Sequence, residues 1–316
     1  MSAFRFVSYE FLDGEAAFTY RDDDRSYTER VRFVVGDTPY DEAVLDRALF
    51  LAFLLIGTSY CKVTPTRTVA FEQGGIDAWQ ADFLNRVYQE GLSQYAYENK
   101  LTRDDLAHFV SVGDPAEASS YAGDGVLSLQ SGGKDSLLVT ALLDRAGIAY
   151  TPWYITSGAD HPLVLDQLSA PLATATRTID RDALRAAHAA GGLNGHVPVT
   201  YIVEALALVQ AVLLGKDTVL AAIAHEGDEP HGWIDDLPVN HQWSKTWQAE
   251  QLLAEYVQRY ISPDIHIGSP LRSLSELKVT ELFAANAWDK YGALFSSCNV
   301  ANYKQGTDNT TLTWCG

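Results

Sequence analysis

Leu127-Ser128-Leu129-Gln130-Ser131-Gly132-Gly133-Lys134-Asp135-Ser136 is the stretch on which the fold turns. A short apolar run of the kind that forms a buried strand ends at Gln130. Two glycines then let the backbone turn tightly, and a helix from Asp135 to Arg145, closed by Gly147, follows at once. Backbone N–H groups at such a helix start have no intrahelical acceptor and carry the positive end of the dipole. With the Ser131 and Ser136 hydroxyls they form an anion cradle, to which Lys134 adds a point charge. A Walker P-loop needs a longer glycine loop and a Ser or Thr directly after Gly-Lys. Asp135 stands at that position, which argues against a γ-phosphate site of the kinase or GTPase type.

Outward from the loop, strand and helix patterns alternate. Ala149 to Ile155 reads as a strand, Tyr201 to Leu214 as a helix, Thr218 to Ala224 as a strand and Lys245 to Tyr260 as a helix. That alternation predicts a mostly parallel sheet covered on both faces. Upstream the order differs. Phe4 to Phe11 alternates apolar and polar, Asp13-Gly14 marks a turn, and Ala16 to Tyr20 returns as a second strand. Asp22-Asp23-Asp24 reads as a solvated turn before a third strand, Tyr27 to Val35, and helices follow over Asp41 to Gly57 and Asp77 to Asn99. Between Val112 and Gly125 the composition shifts to Gly, Asp, Pro, Ala and Ser, which marks a boundary. The expected fold is α/β, with an N-terminal α+β domain over 1–120 and a nucleotide-binding catalytic domain over 121–316.

Bulk properties bound the function. The chain has 316 residues, 47% hydrophobic and 20% charged, with mean hydropathy -0.09, as a globular protein with a full core has. Its net charge of -18 repels phosphate backbones, and no Lys/Arg run offsets it, so no nucleic-acid partner is expected. Cys61, Cys298 and Cys315 make no even disulfide set and fit free thiols in a reducing compartment. The N-terminus lacks a secretory pattern, and the most apolar run, Ala48 to Ile56, is about half the ~20 residues that cross a bilayer. A cytoplasmic protein without a membrane segment is expected.

Ser131 to Ser136 resembles the SGGxDS loop of the PP-loop ATP pyrophosphatase superfamily. The resemblance implies a Rossmann-like sheet (the adenine nucleotide alpha hydrolase-like architecture), ATP and Mg²⁺, cleavage between the α and β phosphates, and adenylation of a carboxylate or carbonyl oxygen. It also implies an adenine site near Tyr154 and Thr156 at the end of the next strand. Further segments narrow the likeness: Phe4 to Val7, Asn194 to Thr200 with Thr200 as helix cap, Ala224 to Asp228, Asn240 to Lys245, Ser269 to Arg272, and Ser296-Ser297-Cys298-Asn299. Together they resemble the UDP-N-acetylmuramoyl-L-alanyl-L-glutamate epimerase family, isomerases that use ATP and Mg²⁺ to invert the terminal glutamate of a peptidoglycan precursor. Family members are expected to continue past Trp314-Cys315-Gly316 with further cysteines, so the catalytic domain reads as shortened at its C-terminus.

The residue chemistry suggests roles. Ser131, Gly132, Gly133, Lys134, Asp135 and Ser136 would hold the phosphates. Asp135, Glu226 and Asp228 offer oxygens for magnesium, which usually keeps several waters. His225 and His241 are candidate bases, because histidine as a residue type exchanges protons near neutral pH, joined as catalytic candidates by Glu226, Lys245 and the Cys298 thiol. His196, His231 and Arg272 are candidates for binding the substrate, the UDP-linked muramoyl dipeptide. A structural role for any one histidine or for Lys245 stays open. So do two other functions: a different adenylating enzyme on the same loop, such as an amide-forming ligase, and a non-catalytic ATP-binding module.

Overall fold

The computed structural model describes residues 3–37, 39–158, 160–225 and 227–297. Its strands in chain order are β1 (Phe4–Leu12), β2 (Glu15–Arg21), β3 (Ser26–Arg32), β4 (Val69–Phe71), β5 (Val126–Leu129), β6 (Tyr150–Thr156), β7 (Ala173–Thr178), β8 (Thr218–Leu220), β9 (Gly232–Ile234), β10 (Leu237–Val239) and β11 (His266–Gly268). The helices are α1 (Glu42–Ile56), α2 (Thr58–Cys61), α3 (Ala78–Gln89), α4 (Ser93–Asn99), α5 (Lys134–Ala146), α6 (Arg181–Ala189), α7 (Val199–Leu213), α8 (Trp247–Tyr256), α9 (Glu276–Asn286) and α10 (Trp288–Tyr291).

Nine strands form one sheet in the order β11-β8-β5-β6-β7-β3-β2-β1-β4, and β9 and β10 form a separate hairpin. The five strands from β11 to β7 are mutually parallel, as the alternation of strands and helices predicts. The antiparallel meander β1–β2–β3 joins them where β3 pairs with β7, Val31 opposite Arg177. Strands on both sides of the 112–125 segment therefore share one sheet, and one apolar cluster takes in Phe6 and Phe53 together with Leu127 and Val209.

β5 sits at the centre of the parallel part, with β6 and β7 on one side and β8 and β11 on the other. The winding direction reverses there, so the loops after β5 and β8 diverge and leave a crevice at the carboxyl edge. Both faces are covered, which is why β5 carries apolar residues pointing both ways. Leu127, Trp153 and Val219 join the cluster that holds α1 and α7; Tyr154 and Leu220 pack with α5 and α9. Together α1 and α2 span 20 residues (Glu42–Cys61), long and apolar enough to cross a membrane, yet their most apolar stretch is 83% buried inside this fold. It is a core helix.

Four local expectations need correction. Asp22 is buried, not solvated: its Oδ1 accepts from Asp24 and Arg25 N–H at 2.9 and 2.7 Å, and its Oδ2 from the Tyr27 and Thr64 hydroxyls. Carboxylates that cap their own turn in this way need no water. The helix expected over Asp77 to Asn99 breaks into α3 and α4 near Gly91, where a Cβ would lie 2.4 Å from the Val87 carbonyl and 3.1 Å from the Trp243 ring. Thr200 does not cap α7: the helix begins two residues earlier than expected, at Val199, with Pro198 in the N-cap place, where a residue without an N–H leaves no donor unpaired. The helix expected from Lys245 starts at Trp247 instead, capped by Thr246 Oγ1 on Ala249 N–H at 3.1 Å, and it widens into a π-helical turn at Val257–Ile261.

Candidate functional site

The loop after β5 is tightly wound. Gln130 N–H still bonds Trp153 O at 2.8 Å, so the ladder holds to the last residue before the turn. Gly132 then takes φ +77°, the left-handed region that favours glycine, and Gly133 opens α5 as its N-cap. Ser136 Oγ lies 3.3 Å from Ser131 N and from Ser131 Oγ, and it donates to Gly133 O at 3.1 Å. Ser131 Oγ also accepts from Gly133 N–H at 3.3 Å. The two hydroxyls expected at the cradle therefore meet beneath it and hold its shape.

Three residues to which the sequence assigned no role in the site come to the same place. Ser297 Oγ accepts from Lys134 N–H at 3.0 Å, and Ser296 N–H donates to Gly132 O at 3.0 Å. A side-chain oxygen of the chain itself thus occupies one of the donors a phosphate would use. Glu276, at the start of α9, accepts from Lys134 Nζ at 2.5 Å while Asp135 Oδ1 accepts from it at 2.7 Å. Burial pulls the Lys134 ammonium down, but these two carboxylates outweigh it and hold it above its ordinary value. Burial pushes the Asp135 carboxyl up, against the opposing pull of Lys134 and, farther out, Lys245. Among the described residues no three His, Cys, Asp or Glu side chains group as a metal site. One or two carboxylates with phosphate oxygens suffice for Mg²⁺, and Asp135 with Glu276, now converging on an ammonium, fit that demand.

The crevice is bounded on its far side by the segment after β8. His225 is exposed there, its N–H fixed to Leu274 O at 3.0 Å. Asp228 Oδ1 accepts from Trp247 N–H, the first of α8, at 2.9 Å, and Glu226 lies outside the described residues, as does Cys298. Arg272 is a strut: it reaches Glu250 Oε2 at 2.7 Å through Nη2, and both Ala224 O and Lys245 O, at 2.9 and 2.8 Å, through Nη1. It thereby ties the 224–228 segment to the turn that carries the exposed Lys245. Thr156 donates to Asp160 O at 3.1 Å and accepts from Gly158 N–H at 3.0 Å, shaping the turn after β6, while Tyr154 is half-buried against α5 and α9. His196, His231 and His241 gather in a separate cluster, their rings in edge-to-face contact.

Behind Arg272 lies Glu204 on α7, with 3% exposure. Burial pushes its carboxyl up from 4.5 to about 8, Glu250 adds to the rise and Arg272 opposes it. Between those two values the folded chain holds a proton that the unfolded chain has released, so stability falls as pH rises through this window. Glu204→Gln is expected to flatten a slope of up to about 1.4 kcal/mol per pH unit, read from urea midpoints at pH 5 and pH 8. Identical slopes in parent and variant would show that Glu204 titrates normally.

The chain matches the family described as the MurL N-terminal domain over residues 1–269. It is 32% identical over 330 aligned positions to a UDP-N-acetyl-alpha-D-muramoyl-L-alanyl-L-glutamate epimerase of Xanthomonas oryzae pv. oryzae, covering 100% of this chain and 71% of the relative. Proteins of the same description from Micromonospora sp. and Salinispora tropica are each 34% identical, covering 95% and 100% of this chain and 69% and 70% of theirs.

Proposed function

The chain belongs to the UDP-N-acetyl-alpha-D-muramoyl-L-alanyl-L-glutamate epimerase family, and from that membership we propose that it inverts the terminal glutamate of the UDP-linked muramoyl dipeptide at the expense of ATP. The observation that carries the ATP-dependent part is the wound Ser131–Ser136 loop at the winding reversal of the sheet, a PP-loop by its residues. The compartment proposed is the cytoplasm, where nucleotide-linked precursors are found with ATP.

The chemistry explains why an epimerase would need such a loop. Removing Cα–H beside an ionised carboxylate puts a second negative charge next to the first. Bound ATP would supply the remedy, the carboxylate taking its AMP portion as pyrophosphate leaves, so that the carbonyl can accept the electron pair from Cα. The chain's own residues do the rest. N–H groups at the start of α5 and the Ser131 and Ser136 hydroxyls hold the leaving pyrophosphate, with Lys134 turning from Asp135 and Glu276 toward it. Asp135 and Glu276, once released, would hold Mg²⁺, whose chemistry when bound would be to shield the phosphate charge. His225, exposed at the carboxyl edge, takes the Cα proton from one face, and a second group, for which Glu226 and Cys298 are the candidates, delivers a proton to the opposite face. Acid–base help of this kind contributes ~10²–10⁴-fold, so activation of the carboxylate supplies the larger share. Water then releases AMP and the free acid.

Chiral analysis of glutamate after incubation with ATP, Mg²⁺ and the UDP-linked dipeptide tests the reading. The expected products are D-glutamate in the peptide, AMP and pyrophosphate. AMP release with glutamate still L and a new amide bond would identify a ligase instead. Inversion without ATP would remove the adenylation step.

A further inference from the structure

One group of side chains has no task in that scheme. His196 comes from the turn before α7, His231 from the start of the β9–β10 hairpin, and His241 from the turn after it. Their rings nevertheless meet: centroids lie 5.3 Å apart for His231 and His241 and 6.4 Å apart for His196 and His241. Lys62, at the end of α2, joins them from the N-terminal part of the chain, its Nζ donating to Asn194 Oδ1 at 2.9 Å and to Gly195 O at 2.5 Å. Gln94 on α4 braces the cluster, its Oε1 lying 2.7 Å from His231 Nε2 and its Nε2 donating to Glu98 at 2.7 Å. Glu98 is an acid facing the cluster, and the charge of Lys245 reaches it from the loop side.

In a chain of net charge -18, this gathering of donors calls for a ligand. A metal does not fit, since no three-ligand group exists among the described residues. The crowding opposes positive charge: burial pulls the Lys62 ammonium down to about 8, and burial with the neighbouring His241, Lys62 and Lys245 lowers His196, Glu98 opposing in both cases. An anion placed among these groups reverses that penalty. The donors extend over two successive ring spacings, more than a single carboxylate fork needs, and imidazole and ammonium groups suit phosphate oxygens as separate point donors. Lys245 lies within electrostatic reach of both Asp135 and His196, which puts the cluster and the nucleotide loop on the same side of that lysine's turn.

We propose that Lys62, His196, His231 and His241 form the seat of a diphosphate, that of the uridine nucleotide carried by the substrate, while the reacting carboxylate lies at the Ser131–Ser136 loop. This rests on the proposed function above. The polyphosphate of ATP is the other source of the same chemistry, and the test separates the two.

Calorimetric titration of the full chain with UDP, and separately with a non-hydrolysable ATP analogue, reads each site. Lys62→Met and His231→Gln are each expected to weaken UDP binding by about tenfold or more, the loss of one charge-assisted hydrogen bond, and to leave the ATP analogue unaffected. Gly132→Ala in the loop should show the opposite pattern. His231 is exposed, so its variant keeps the experiment decisive if Lys62→Met folds poorly. Unchanged UDP affinity in the cluster variants overturns the proposal, as does UDP loss in Gly132→Ala, or loss of the ATP analogue alone in the cluster variants. None of these outcomes touches the epimerase reading, which the chiral assay on the parent chain decides.

Discussion

Gly132→Ala is expected to lower ATP-dependent AMP release by about 10²-fold or more while the protein stays folded. The residue sits at φ +77°, where an alanine costs roughly 1–2 kcal/mol. A Cβ there would also stand 3.0 Å from Pro162 Cβ and 3.2 Å from Val164 Cγ1. Pro162 is a rigid ring and Val164 is fully buried, so the loop, rather than its neighbours, must give way. The N–H groups of Gly133 and Lys134 then swing off the positions that receive phosphate oxygens. Misplacement by about 1 Å at such a site costs on the order of 10²-fold. Gly147→Ala supplies the control, since Gly147 has φ +67° with nothing within 4 Å of its would-be Cβ. It should lose similar stability and keep its activity. AMP release and urea midpoints for both variants check the argument, and equal activities would show that the loop does not hold the nucleotide.

The largest stability effect is expected at the junction of β3 and β7. Arg177→Met should cost about 3–5 kcal/mol, the range for removing one partner of a buried ion pair. The Glu29 side chain is 0% exposed and Arg177 only 12%; Nε meets Oε1 at 2.6 Å and Nη2 meets Oε2 at 3.2 Å. Tyr60 donates to Glu29 Oε2 at 2.8 Å, which completes the carboxylate's partners. Without Arg177 the charge stays buried with one hydroxyl, at the ladder that joins the antiparallel and parallel parts of the sheet. Such a loss is a large fraction of the 5–15 kcal/mol that holds most domains together. The double variant Glu29→Gln/Arg177→Met should recover much of it, because no charge is left unpaired. Urea denaturation of the single and double variants measures both. A single variant within about 1 kcal/mol of the parent would mean that water reaches Glu29.

What the sequence made legible was local. The strand–loop–helix at Leu127 to Gly147 could be read because buried strand, glycine turn and αL cap are each determined within a few residues. The parallel sheet followed from alternation. The partners of that loop could not be read the same way. Ser297 meets Lys134 across 163 residues and Glu276 meets it across 142, and no periodicity encodes either approach. Lys62 reaches Asn194 and Gly195 across more than 130 residues for the same reason. Asp22 misled because three consecutive aspartates look solvated by composition, whereas one of them was capping its own turn and accepting from Thr64. Gly91 gave a weak local signal; the closeness of Trp243 that forbids a side chain there is purely tertiary.

The hydroxyl of Ser297 has one more consequence. Resting on Lys134 N–H, it and an arriving phosphate oxygen are rivals for a single proton donor, so the two occupancies are thermodynamically linked. Whatever draws the 296–297 segment outward tightens an anion at the loop, and an anion at the loop loosens that segment by the same factor. The returning hydroxyl replaces one bond of a departing product, worth about 1 kcal/mol, so the loop never faces an unmatched donor as it empties.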